Sequence, residues 1–88
     1  MLEVKVTQED IDRGIRYNES LCPIALSLIK KAPIGDKVRV NEEKITVGTV
    51  RYTTTRRARK FITNFDSSRE KVEPITFRLS ESTKGRIF

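Results

Sequence analysis

Apolar positions along this chain follow two periods, one of two residues and one of three to four. Val4 and Val6 alternate with Glu3 and Lys5, which predicts a short first strand. Thr7-Gln8-Glu9-Asp10 then reads as a helix start. The threonine hydroxyl can accept from a first-turn amide, and the acids complement the positive helix end. Ile11 and Ile15, four apart, are expected to form the buried side of that short helix. A second helix is predicted from Leu21 to Lys31, capped by Ser20, with Pro23 in its first turn and Lys30 and Lys31 at its C-terminal end. Ile24, Ala25, Leu28 and Ile29 share one stripe, widened by Leu21 and Leu26, and Pro33 and Gly35 close the helix.

Strands follow. Val38 and Val40 alternate with Lys37 and Arg39, Asn41-Glu42-Glu43 makes a turn, and Ile45 and Val47 resume the alternation. After Gly48 the apolar positions become Val50 and Tyr52, so the parity changes at the glycine. Either Gly48 is a bulge in one long strand or it sits in a tight turn between two short ones, the second being preferred. Thr54 or Thr55 caps a third helix ending near Asp66, with Ala58, Phe61, Ile62 and Phe65 at i, i+3, i+4, i+7. Pro74 leads into a closing strand in which Ile75, Phe77 and Leu79 alternate with Thr76 and Arg78. The expected class is α+β: three helices on a mainly antiparallel sheet of four to five strands, in the order β-α-α-β-β-(β)-α-β. One domain over residues 1–80, with a loose tail at 81–88 (Ser80 already reading as tail), accounts for the 88 residues.

Composition narrows the chemistry. The chain has no histidine and one cysteine, Cys22. That removes Ser-His-Asp and Cys-His nucleophilic sites, and a structural zinc site within one chain. A lone cysteine cannot form an internal disulfide, and with no apolar run of bilayer length and no export signal at the N-terminus the expected location is the cytoplasm. The reading is a protein that is not an enzyme and takes no cofactor or metal.

Charge is the strongest positive signal. From Lys44 to Phe65 there are six basic residues, Lys44, Arg51, Arg56, Arg57, Arg59 and Lys60, and no acidic one. This stretch equals the whole chain's net charge of +6, since the remainder balances. Four of these cations fall in the first turns of the third helix, where they oppose its macrodipole at about 0.3–1 kcal/mol each when exposed. A sequence shaped for stability alone places acids there. Arg56, Arg57, Lys60 and Asn64 can lie on the solvent side, beside a strand carrying Arg51. Such a face can track phosphates by charge, with no clearly exposed aromatic for base stacking. It can equally meet an acidic protein surface, and a charge run with no partner is a common outcome.

Weaker candidates come with plainer readings. Cys22 near a helix start can carry a lowered thiol pKa, but beside Pro23 and Ile24 it reads as a small buried residue. Asp36 with Glu42-Glu43-Lys44 is similar to the carboxylates and lysine of metal-dependent nucleases, yet the acids straddle a turn and read as a solvated hairpin tip. Tyr17, Asn18 and Glu19 can join a surface pocket. Ile87 and Phe88 can dock on a partner or a second copy of the chain.

Four segments in order, Asp10-Ile11-Asp12-Arg13-Gly14, Cys22-Pro23-Ile24-Ala25-Leu26-Ser27-Leu28, Tyr52 with Phe61-Ile62 and Phe65-Asp66, and Pro74-Ile75-Thr76-Phe77, resemble a group of small uncharacterised bacteriophage and prophage proteins. The resemblance spans about Val6 to Leu79 and implies an origin, with no functional residue carried over. The basic helix start departs from the group, where that helix is acidic or neutral. The order helix, three strands, helix opening with Arg56-Arg57-Ala58-Arg59-Lys60 is also similar to double-stranded RNA-binding domains. The leading and closing strands are extra, however, the first helix is too apolar to present to RNA, and Ile62 and Phe65 stand where paired alanines are expected. The resulting expectation is a small basic phage-type accessory protein, monomer or homodimer, that binds nucleic acid phosphates through a basic helix face. The alternative is an inhibitor or modulator binding an acidic surface of a host protein.

Overall fold

The computed structural model describes residues 2–32, 35–68 and 72–81. Its order is β1 (Leu2–Val6), α1 (Gln8–Arg13), α2 (Pro23–Lys31), β2 (Val38–Val40), β3 (Lys44–Val47), β4 (Val50–Thr53), α3 (Arg56–Ser67) and β5 (Ile75–Leu79). The class is α+β with antiparallel pairing throughout. Among the described residues the five strands divide into two sheets rather than one, β1–β5 and β2–β3–β4, with an isolated bridge between Tyr52 and Glu81. Glu81 pairs with Tyr52 of β4 through that bridge; residues 82–88, with Ile87 and Phe88, lie outside the described residues.

Thr7 caps α1 through a reciprocal box: its hydroxyl accepts from the Asp10 N–H at 3.2 Å, and the Asp10 carboxylate accepts from the Thr7 N–H at 3.0 Å. Asp10 also meets Lys30 Nζ at 2.9 Å, which ties α1 to α2. The expected inward pair at Ile11 and Ile15 is corrected. Ile11 is buried, but α1 stops at Arg13 and Ile15 is 47% exposed. The chain leaves the helix at Gly14, which lies so close to Pro23 that a Cβ there would be 2.6 Å from the proline ring.

The start of α2 also differs from the expected Leu21, because the residue before a proline is disfavoured in helical geometry. The helix begins at Pro23, with Cys22 in the cap position, and Ser20 does not cap it. The backbone N–H groups of Ser20 and Leu21 instead donate to the Asn18 side chain, both at 2.9 Å. Ile24, Ala25 and Leu28 are buried as expected, whereas Leu21 and Ile29 are exposed. Two polar residues of α2 close the outer edge of β1. Ser27 Oγ donates to the Lys5 carbonyl at 2.8 Å, and Lys31 Nζ, one turn later, donates to the Glu3 carbonyl at 2.6 Å.

Asn41 builds the β2–β3 turn by accepting from the Glu43 and Lys44 N–H groups at 2.8 and 2.9 Å. Gly48, at φ +62°, begins the two-residue turn between β3 and β4, so the parity change is a turn and not a bulge. Thr55 caps α3, accepting from the Ala58 N–H at 3.2 Å, while the buried Thr54 hydroxyl donates to the Asn41 carbonyl at 2.9 Å. Adjacent threonines thus divide two tasks, one starting the helix and one fixing it to the hairpin turn. Ala58, Phe61, Ile62 and Phe65 enter a single core with Val4, Val6, Ile24, Leu28, Ile45 and Leu79.

Candidate binding surface

The six cations predicted as a cluster are all exposed, on three elements. Arg56, Arg57, Arg59 and Lys60 occupy the first turns of α3, which has no acid in its first turn and no base in its last. Asp66, near the negative end of the same helix, also opposes the macrodipole, but its carboxylate accepts from the Tyr17 N–H at 2.9 Å. Arg59 is engaged locally: its Nε donates to the Glu42 carbonyl at 3.1 Å, and the Glu42 carboxylate accepts from Thr63 at 3.3 Å. The β2–β3 turn therefore brings an acid onto one flank of a helix whose own first turns carry none.

Arg57 and Lys60 line the opposite flank. Two hollows of about 370 and 430 Å³ adjoin there and share Arg57 and Ile75. The first adds Lys60, Phe61, Asn64, Val72 and Glu73 to the lining, and the second adds Lys5, Thr7 and Gln8. The lining of this groove mixes three cations, Lys5, Arg57 and Lys60, with the apolar Phe61, Val72 and Ile75 and one acid, Glu73, which suits something both acidic and apolar.

Lys44 and Arg51 belong to a different surface. Val38, Val40 and Ile45 turn into the core, so the alternation sends Arg39, Lys44, Thr46, Arg51 and Thr53 to the outer face of the three-stranded sheet. The register puts Arg39 opposite Thr46 and Thr46 opposite Arg51, a row across all three strands, with Lys44 opposite Thr53 beside it. Arg51 and the α3 cations thus stand on separate elements, β4 and the helix that follows it. Arg39 and Lys5 were missed by counting charge along a contiguous stretch, although the pattern Val38-Arg39-Val40 already pointed Arg39 outward.

The smaller candidates separate in space. Asp36 sits against Gly48, where an added Cβ would be 2.8 Å from its carboxylate, at the end of the hairpin opposite the Glu42-Glu43 turn. Asp36 and the Glu42-Glu43-Lys44 segment therefore do not form the compact carboxylate-lysine group that their sequence spacing allows. Among the described residues no group of three or more Cys, Asp or Glu side chains is placed to share a metal ion. Cys22 is buried, and burial pushes its thiol above the usual value despite the opposing amides of Ala25 and Ile24. Tyr17, Asn18 and Glu19 do line a pocket of about 190 Å³, with Cys22, Ile62 and Asp66. Tyr17 is 79% exposed, so an exposed aromatic exists after all; its pocket is lined by Glu19, Glu42 and Asp66 rather than by cations.

No helix among the described residues is long and apolar enough to cross a membrane. No protein-family model, curated protein or solved structure matches the chain.

Proposed function

We propose that this chain is a small accessory protein, of the bacteriophage kind its sequence resembles, that binds nucleic acid phosphates without chemistry of its own. In this reading it works in the cytoplasm, that of the host cell if phage-encoded. One observation carries the proposal. Four cations occupy the positive end of α3 with no acid among them, an arrangement that costs helix stability and so calls for a compensating use. Lys44 and Arg51 add two exposed cations on the β3–β4 hairpin that precedes α3. Phosphates are the ligand that such a distribution attracts with least demand on shape.

A second reading draws on the groove beside α3. Phe61, Val72 and Ile75 together with Arg57 and Lys60 favour an acidic protein segment with apolar side chains. Retrieval from host lysate with and without nuclease separates the two. Nucleic acid binding predicts that captured material is lost on nuclease treatment. A single protein retained after nuclease and moderate salt supports the second reading and overturns the first.

A further inference from the structure

The outer face of the β2–β3–β4 sheet differs in kind from the groove beside α3. Its outward side chains are Arg39, Lys44, Thr46, Arg51 and Thr53, with no acid and no apolar residue among them. No helix among the described residues covers it: α2 contacts β2, and Ile24, Ala25 and Leu28 of α2 share one core with the apolar side of α3. Adjacent strands lie about 4.8 Å apart, which puts Arg39 and Arg51 roughly 10 Å from one another across Thr46. Lys44 stands one pleat repeat away along β3. Acids stand only at its margins: Glu19 lies 3.9 Å from Arg39, both side chains being largely exposed, and Glu42 and Glu43 precede Lys44 in the β2–β3 turn. Thr54 and Thr55 alone separate the end of β4 from Arg56 at the start of α3.

We infer that this open sheet face is the surface on which the phosphodiester backbone lies, with Arg39, Lys44 and Arg51 as its charged contacts and Thr46 and Thr53 as hydroxyl donors. The inference rests on the nucleic acid reading above and commits to one surface within it. Charge complementarity selects the occupant. A protein interface centres on anchors of Trp, Tyr and Arg in well-packed, desolvated pockets, and this face carries arginine without aromatic or apolar neighbours. A phosphate backbone needs spaced cations and donors on an accessible surface, which are what the face supplies.

The test is fluorescence anisotropy with a fluorescein-labelled random-sequence DNA duplex, titrated across a range of salt concentrations. The parent is compared with Arg39→Gln/Arg51→Gln on the sheet and with Arg57→Gln/Lys60→Gln beside the groove, each checked for parental circular dichroism. The sheet variant is expected to flatten the dependence of log affinity on log salt by about 1.8, or about 0.9 for each lost phosphate contact. A sheet variant with the parent's slope overturns the assignment of this face, even where the groove variant flattens it. Failure of the parent to bind the duplex at low salt overturns the nucleic acid reading itself.

Discussion

Asp10 is a buried carboxylate with three ties: it closes the capping box of α1, neutralises Lys30 and links the two helices. Burial pushes its pKa up, but the Thr7 N–H, the Lys30 ammonium and the Thr7 side chain together bring it below the ordinary 3.8. A carboxylate with a depressed folded pKa contributes stability above its unfolded pKa and loses that contribution as pH falls through the folded value. Asp10→Asn should therefore lower stability by about 1–2 kcal/mol at neutral pH. The difference from the parent should shrink as the pH falls below 3.8, as read from urea midpoints across that range. Cys22 makes a second residue-scale prediction. Its thiol should react slowly with iodoacetamide in the folded protein at neutral pH and quickly in denaturant, as followed by mass spectrometry. Thr7-Gln8-Glu9-Asp10 made the cap of α1 legible in sequence, because capping is a local interaction. The partnership of Asp10 with Lys30 was not, since it depends on how two helices pack.

At the scale of elements, α3 was the most legible, its four apolar positions being spaced for a helix and all four buried. Its cap is Thr55, and Thr55→Ala should cost about 0.5–2 kcal/mol in chemical denaturation. The charge arrangement gives a sharper prediction. Arg56→Glu or Arg57→Glu should stabilise the fold by about 0.3–1 kcal/mol at low salt, because an acid replaces a cation at the positive helix end. The same substitutions should weaken binding to nucleic acid, so a loss of stability or a gain of affinity counts against the account. The β3–β4 turn is as clear in its requirement. Gly48→Ala places a Cβ at positive φ and 2.8 Å from the Asp36 carboxylate, and should cost at least the roughly 1–2 kcal/mol of a left-handed residue. Ile15 lies beyond the end of α1 and α2 starts only at Pro23, where Gly14 packs against the proline ring. Periodicity within a window contains no record of that contact.

The whole molecule holds its core between two small sheets and three helices and leaves two cationic surfaces of unlike character. One is a groove of mixed apolar and charged lining, and the other is a sheet face of Arg, Lys and Thr alone. Four of the six cations counted along the sequence lie on α3, and Lys44 and Arg51 lie on the sheet. Linear charge counting missed Arg39, which only strand register places in a row with Thr46 and Arg51. It also missed Glu42, which the hairpin turn carries to α3. With a net charge of +6, the molecule is expected to meet polyanions by long-range attraction before any specific contact forms. The central claim, that its ligand is phosphate, is tested most directly by the parent protein's affinity for random-sequence nucleic acid measured against salt. The account predicts binding at low salt and a straight, steep fall of log affinity with log salt, alike for different sequences. Absence of binding at low salt, or an affinity indifferent to salt, would contradict it.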